Sequence, residues 1–465
     1  MERVTAIESA GKVGQKVLLK GWVHARRDHG KLIFIDLRDR SGIMQVVFWG
    51  KGDAELFKSA DGLRHEYVIA VEGTIQERQP NQVNPDLPTG KVELAAEKLE
   101  VLNPSETPPF EVADAGAPEA GEEVRLKYRY LDLRREKMQK NIRLRSAFVQ
   151  KCRDYLFDND FVEIETPLLT ESTPEGSRDF VVPSRLNPGS FYALPQSPQQ
   201  YKQLLMIGGF ERYFQIARAI RDEDPRADRG FEHTQVDIEM SFVTQEDVMN
   251  TVEAMMIQAV ESLGYKVKDK PFPRFTYQEA MDKFGADKFD LRTDEEKKDP
   301  KLLAYAWVYK FPFFEKTDEG GWTFTHNPFS MPVPEHVDDL LAGRNIENIL
   351  TTQYDLVCNG YESGGGSIRA HQPEILKSTY KVMGFNDEQI QERVGHMLDA
   401  FKYGAPPHGG IALGVERNLM NLTGEQYLRE VQAFPMTGRG QTAVMKGPKP
   451  LTADQLKELG IKVIE

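Results

Sequence analysis

The stretch FQIARAIRDEDPRADRGFEHTQVDIEMSF, Phe214 to Phe242, constrains this chain more than any other. FQIARAI is apolar enough for a strand, and RDEDPRADRGFEH is too charged and turn-rich for a core. TQVDIEMSF then alternates polar and apolar residues with period 2, the pattern of a half-buried strand. Gln235, Asp237 and Glu239 therefore share one face of that strand. Arg221 and Glu223 stand near the end of the strand before it. By itself such a pattern describes a hairpin with a solvated outer face. A second stretch, GGIALGVERNL (409–419), opens a helix with Arg417 beside small residues that leave room for a ligand.

Length and charge set the outer bounds. The chain has 465 residues, 40% hydrophobic and 28% charged, with a formal net charge of −13. That size suits two or three domains. The acidity excludes a uniformly basic nucleic-acid coat but permits local basic patches. The two cysteines, Cys152 and Cys358, lie in no metal-binding spacing, which suits a reducing, cytoplasmic location. The N-terminus shows no signal-peptide pattern, and no run of about 18 apolar residues predicts a membrane span.

The first stretch resembles motif 2 of the class II aminoacyl-tRNA synthetases in its aspartate-specific form, and GGIALGVERNLMNLTG resembles motif 3. The resemblance extends over nearly the whole chain. It implies an α/β (α+β) multidomain protein: an N-terminal OB-fold barrel, then a catalytic domain built on an antiparallel sheet with flanking helices. The expected divisions are 1–104 for the barrel, 105–135 for a hinge, 136–440 for the catalytic domain and 441–465 for a C-terminal extension.

Residues 1–104 read independently as short alternating strands separated by DHG, RSG and NPDLPTG turns, with one short helix in DAELFKSADGL. That pattern fits a small Greek-key barrel. Arg26, Arg27, Lys31, Arg38 and Arg40 gather around Phe34 and Gln45, as a single-stranded nucleic-acid surface requires; a ligand-free barrel is the plainer alternative. The resemblance implies an anticodon site in which Phe34 stacks on a base and Gln45 and Glu93 bond base edges. In it, the Arg27-Asp28-His29-Gly30-Lys31 loop carries histidine where relaxed bacterial members do, and strict members carry leucine. Residues 103–123 read as a Pro-, Glu- and Ala-rich linker. Residues 125–145 hold nine basic side chains against Asp132 and Glu136, a face suited to tRNA phosphates.

The catalytic segments follow. FVEIETPLLTESTPEGSRDF resembles motif 1, whose marker is Pro167, and implies a two-fold homodimer. Glu175 and Gly176 sit in a polar loop that could close on a ligand. LPQSPQQYKQLLM resembles the aspartate-binding loop. It implies that Lys202 binds the substrate side-chain carboxylate while Ser197, Gln199 and Asp237 hold its ammonium group. The large insert of bacterial relatives is missing, and TDEEKKDPKLL stands in its place. The family's paired histidines are here His326-Asn327, leaving His326 as the one imidazole beside the amino acid.

YDLVCNGYESGGGSIRAH (354–371) reads as a strand with a glycine-rich bend. Asp355 and Glu362 are seven apart, so strict alternation puts them on opposite faces and a bulge or bend is needed to unite them. The resemblance assigns them to Mg²⁺. It assigns Arg369 to the aspartate carboxylate, a contact that a planar guanidinium suits.

The implied reaction is activation of L-aspartate by ATP, then transfer to tRNA-Asp. Whether tRNA-Asn is also accepted turns on His29. In that reaction Arg221 meets the α-phosphate, Arg417 the γ-phosphate and Glu223 the adenine edge. His233 stacks where the family commonly places phenylalanine. An asparagine-specific enzyme would not want the two cations Lys202 and Arg369. An amide ligase would not need the barrel, and a degenerate binder would have lost Arg221, Glu362 or Arg417.

Overall fold

The structure, a computed structural model, describes residues 1–113, 120–172 and 176–464. It divides into two compact units, Met1–Lys137 and Met138–Glu465.

In the first unit, strands β1 (Lys16–Asp28), β2 (Leu32–Arg38), β3 (Ile43–Trp49), β4 (Val68–Glu77) and β5 (Val92–Asn103) close into a barrel in the order β1-β2-β3-β5-β4. The period-2 pattern sets the faces: Ile33, Ile35 and Leu37 are buried, while Phe34, Asp36 and Arg38 turn outward. Helix α1 (Ala54–Asp61) is started by Asp53, whose carboxylate accepts the N–H groups of Glu55 and Leu56, satisfying two otherwise orphaned donors.

Part of the basic segment after the barrel departs from the expected phosphate-facing surface, while Lys127, Lys140 and Arg143 stay exposed. Arg125, Arg129 and Arg135 converge on Asp132, at 3.6, 2.5 and 3.5 Å. Arg129 and Asp132 are fully buried. Arg134 pairs with Glu66 at 2.7 Å and lies over the Trp22 ring. A buried carboxylate demands cations around it, so these arginines face inward to a protein acid.

The second unit is built on an eight-stranded sheet. Its strands are β6 (Val162–Glu163), β7 (Arg212–Ile220), β8 (Glu232–Ser241), β9 (Arg274–Thr276), β10 (Tyr305–Tyr309), β11 (Tyr354–Cys358), β12 (Tyr361–Ile368) and β13 (His408–Gly414). They run in the order β9-β10-β11-β12-β13-β8-β7-β6. The inner pairings are antiparallel, and the two outermost are parallel. One face is apolar. Val236, Ile238, Met240, Ile411 and Leu413 pack there on α2 (Glu136–Asp158) and α4 (Gln245–Ser262) through Phe148, Cys152, Val252 and Met255. Each such side chain stabilises by about 1.5–3 kcal/mol. Helix α5 (Val415–Thr423) joins the same core through Val415, Leu419 and Leu422, and α3 (Gln199–Ile207) borders the opposite, polar face with Lys202.

Residues 354–371 differ from the single bent strand expected. Asn359 and Gly360 both adopt positive φ, 49° and 92°, and turn the chain into the β11–β12 hairpin. Asn-Gly is the residue pair such a two-residue turn favours. Val357 therefore faces Glu362 across the hairpin, and Asp355, two residues from Val357, lies on the same face as Glu362. A register shift follows between Leu356 and Val357, leaving Ser363 as the extra residue. Beyond that bulge Gly365, not Gly364, lies opposite Asp355. Among the described residues, no helix is long and apolar enough to cross a membrane.

Candidate active site

Register across the sheet lays one row of residues along the polar face: Asp355, Gly365, Ala412, Asp237 and Gln215. The two small residues at its centre open a space between the two carboxylates. A Cβ on Gly365 would stand 2.7 Å from Asp355 Oδ1, so any side chain there would push the Asp355 carboxylate aside. The next row on that face holds Ser367, Gly410, Glu239 and Tyr213. The cavity above has a volume of about 390 Å³, and its lining includes Ser197, Gln199, Lys202, His233, Arg369 and Arg417.

A buried quartet of charged side chains lies at one end of the cavity, and three of them, Lys202, Asp237 and Arg369, line it. Arg369 grips Glu239 through Nε to Oε1 at 2.9 Å and Nη2 to Oε2 at 3.0 Å. Lys202 Nζ donates to Asp237 at 3.0 Å and stands 3.1 Å from Glu239. All four are buried. Burial opposes ionisation of Glu239, but Arg369 and Lys202 outweigh it and hold its pKa down at about 2. For Asp237, burial together with the neighbouring Glu239 charge outweighs Lys202 and the more distant Arg369, and its pKa is pushed up to about 6. Asp237 is paired with Lys202 through Oδ2, while its Oδ1 accepts no hydrogen bond from the described residues and the residue lines the cavity. Beside the quartet, Gln199 Nε2 and Gln235 Oε1 are buried without a protein partner. Such atoms ordinarily find one, and both line the cavity.

The other end of the cavity is cationic. Arg221, just past β7, donates from Nε to the Gln196 carbonyl at 3.2 Å, leaving its terminal nitrogens toward the cavity it lines. Arg417, near the start of α5, reaches Asp228 at 3.0 Å and Glu362 at 3.4 Å. Glu223 accepts a hydrogen bond from Ser177. His233 lies between these groups. Burial, then the charges of Arg221 and Arg417, press its pKa down to about 3, so its imidazole is neutral at physiological pH.

Asp355 and Glu362 stand on one face, and His326 lies 3.6 Å from Asp355. Burial raises the Asp355 pKa; burial also opposes Glu362 ionisation, but Lys288 and Arg417 outweigh it and lower its pKa. Burial likewise opposes a charged His326, but its bond to Asp355 prevails and raises its pKa. Among the described residues, no group of three or more His, Cys, Asp or Glu forms a metal cage. Two carboxylates without a cage fit Mg²⁺, which takes most of its ligands from phosphate and water.

In the barrel unit, Arg27 forks onto Asp36 at 2.7 and 2.9 Å and also donates to Gln45 at 3.1 Å. Gln45 donates to Glu93 at 2.7 Å, and Gln76 donates to Glu93 at 2.8 Å. Phe34 is half-buried, and the His29 ring meets it edge-on at 5.7 Å. These residues thus form one continuous polar surface beside an aromatic ring.

Of the residues singled out in sequence, Glu175 lies outside the described residues. Pro167 follows β6, in a stretch where Leu168 and Leu169 are 51% and 53% exposed. Sequence reasoning missed Asp228, Lys288 and Glu416. Asp228 lay in plain view within the charged loop. Glu416 accepts the Thr234 N–H at 3.0 Å and pairs with Arg145 at 2.8 Å, a role that only the fold reveals. Lys288 carried no signal at all.

Comparison with known proteins agrees with this geometry. Residues 121–438 match the family described as class II tRNA synthetases (D, K and N), and residues 17–102 match the OB-fold nucleic acid binding domain. The aspartate–tRNA(Asp/Asn) ligase of Halothermothrix orenii is 40% identical over 98% of this chain and 97% of its own length. The aspartate–tRNA ligase of Geobacillus kaustophilus is 39% identical, over 97% of each. The first alignment spans 577 residues, more than this chain contains, so that relative carries residues without counterpart here. Asparaginyl-tRNA synthetase of Pyrococcus horikoshii, solved with asparaginyl-adenylate, superposes with a TM-score of 0.75 at 25% identity, covering 94% of this chain and 98% of that one. Aspartyl-tRNA synthetase of Entamoeba histolytica shares the fold, with a TM-score of 0.74 at 21% identity over 94% and 91%. The chain belongs to the class II aminoacyl-tRNA synthetases of the aspartate, lysine and asparagine group.

Proposed function

We propose that the chain activates L-aspartate with ATP and transfers it to tRNA-Asp, with tRNA-Asn as a second acceptor. The observation that carries the reading is the pairing, in one cavity, of a buried ammonium and guanidinium (Lys202, Arg369) with a second cationic end (Arg221, Arg417). The first pair suits an acidic side chain, and the second suits a polyphosphate. The names of the relatives, several of them aspartate–tRNA(Asp/Asn) ligases, support both the amino acid and the two acceptors.

The substrate α-carboxylate attacks the α-phosphorus of ATP in line. The bond from that phosphorus to the bridging oxygen breaks, and pyrophosphate leaves. No protein nucleophile is needed, so the site acts by positioning and charge. Lys202 and Arg369 share their hydrogen bonds between Glu239, Asp237 and the substrate side chain. Ser197, Gln199 and Asp237 hold its ammonium group, with Gln235 and His326 alongside. Arg221 stabilises charge at the α-phosphate, and Arg417 holds the γ-phosphate. Glu223 meets the adenine edge, and His233 stacks on the ring. Mg²⁺ held by Glu362 and Asp355 supplies neutralisation of the phosphate charge when bound. The aspartyl group then passes to a terminal ribose hydroxyl of tRNA.

Residues 1–104 bind the anticodon through Arg27, His29, Phe34, Gln45 and Glu93; 105–135 form the hinge, 136–440 the catalytic domain and 441–465 an extension. The exposed leucines beside Pro167 support a homodimer, and two buried free cysteines support a cytoplasmic location. Pyrophosphate exchange tests the activity. Exchange driven by aspartate and not by asparagine is expected; the reverse preference would overturn the reading.

A further inference from the structure

Glu362 does not stand alone in the cavity. Lys288 Nζ lies 3.0 Å from Glu362 Oε2, the same oxygen that Arg417 approaches at 3.4 Å. Lys288 belongs to the segment between a helix ending at Phe284 and strand β10. Its neighbours fix that segment firmly. The Phe289 ring stacks on Phe284 at 4.0 Å and meets Phe275 edge-on at 5.5 Å. The Phe289 carbonyl accepts the N–H of Gly360 at 3.0 Å, in the very turn that leads into Glu362. Asp290 accepts from Arg292 at 2.9 Å. The backbone beside Lys288 is thereby docked to the hairpin, while the Lys288 side chain itself is 38% exposed.

We infer that Lys288 is a tethered counter-cation for Glu362 which a divalent cation must displace, an inference that rests on the proposed assignment of Asp355 and Glu362 as its ligands. A magnesium–oxygen bond is about 2.0–2.1 Å long. A dication on Oε2 would therefore stand within about 5 Å of the ammonium, close enough for strong repulsion away from bulk water. Glu362 is fixed by its strand pairing, whereas the lysine stem can swing its head into solvent. Before ligands arrive, the ammonium offsets the repulsion between Asp355 and Glu362, so two carboxylates can share a face without a metal. Metal alone then binds poorly. It binds well once triphosphate charge accompanies it, so metal and nucleotide enter together.

The test uses Mn²⁺ as the probe, with free ion counted by electron paramagnetic resonance, on the full chain without ATP. Lys288→Met and Lys288→Gln should each bind Mn²⁺ at least tenfold more tightly than the unmodified protein. The double variant Lys288→Met/Glu362→Gln should lose that gain. Unchanged or weaker binding in both single variants overturns the inference, as does a gain that survives Glu362→Gln. Aspartate-dependent pyrophosphate exchange on the unmodified protein separates the two readings. An active protein with unchanged Mn²⁺ affinity in the variants fails this inference alone. An inactive one fails the functional assignment, and this inference with it.

Discussion

Arg369 holds Glu239 with two nearly equal hydrogen bonds, 2.9 and 3.0 Å long. The guanidinium best suited to an acidic substrate is thus already engaged by the protein's own acid. Lys202 is engaged likewise, by Asp237 and Glu239. In the proposed reaction the substrate carboxylate would join this arrangement as a third anion between two cations that are already aimed. Preorganisation of this kind lowers the ordering cost of binding.

Lys202→Met should cost both folding stability and aspartate use. Removing one partner of a buried ion pair leaves its acids uncompensated, at about 3–5 kcal/mol. The further change Asp237→Asn should restore part of the stability and none of the aspartate kcat/KM. Thermal unfolding and pyrophosphate exchange on both variants check this. Unchanged aspartate kcat/KM in Lys202→Met would remove the residue from substrate recognition.

His233 should make the protein acid-sensitive. In the unfolded chain it takes up a proton near pH 6.5, but in the folded chain burial and the nearby arginines delay this to about 3. The unfolded state binds more protons across that window, so stability falls as pH falls through it. His233→Phe removes this contribution, of up to about 1.4 kcal/mol per pH unit. Urea unfolding of both proteins at about pH 7 and about pH 5 measures it. Parallel losses in the two would mean that the imidazole is solvated. The ATP KM of the variant should be held or improved, since phenyl stacks on adenine at least as well.

Light scattering at micromolar concentration should give a mass near twice 52.9 kDa. Leu169→Glu should lower it toward the monomer, because a two-fold contact repeats each substitution and so buries two carboxylates among apolar side chains. An unmodified protein that is active as a monomer rules out this interface.

His29→Leu should restrict tRNA choice. The imidazole meets Phe34 edge-on at 5.7 Å, so its replacement alters how that ring is set against a stacked base. One base contact is worth about 1–3 kcal/mol. The kcat/KM for tRNA-Asn should therefore fall at least about tenfold relative to tRNA-Asp, about 1.4 kcal/mol. Charging of purified transcripts with labelled aspartate decides this, and an unchanged ratio reduces His29 to a turn residue.

Much of the fold was legible because its periods are local. The alternation in TQVDIEMSF gave the face bearing Gln235, Asp237 and Glu239, and Lys202, Arg221, Arg369 and Arg417 were read as site residues from their motifs. Asn359-Gly360 is legible as a hairpin turn: strict alternation along one strand sets Asp355 against Glu362, and this turn is the bend that unites them. The inward turn of Arg129 was not legible, because the buried partner Asp132 looks in sequence like any other surface acid. Lys288 was hidden for a similar reason: its contact with Glu362 spans dozens of residues and follows no period.

The extra residue at Ser363 lets an even-numbered and an odd-numbered side chain of β12 serve one cavity. Before it, Glu362 faces the cavity; after it, Gly365, Ser367 and Arg369 do. Deleting Ser363 itself would only regularise the ladder, because Leu356 and Asp355 already pair with Gly364 and Gly365. Deleting Gly366 while the turn and the bulge keep their place would rotate every later side chain of the strand to the opposite face. Ile368 would then enter the cavity, and Arg369 would be driven against the apolar helices. An engineer who shortens this strand has one residue to spare, and it is the one at the bulge.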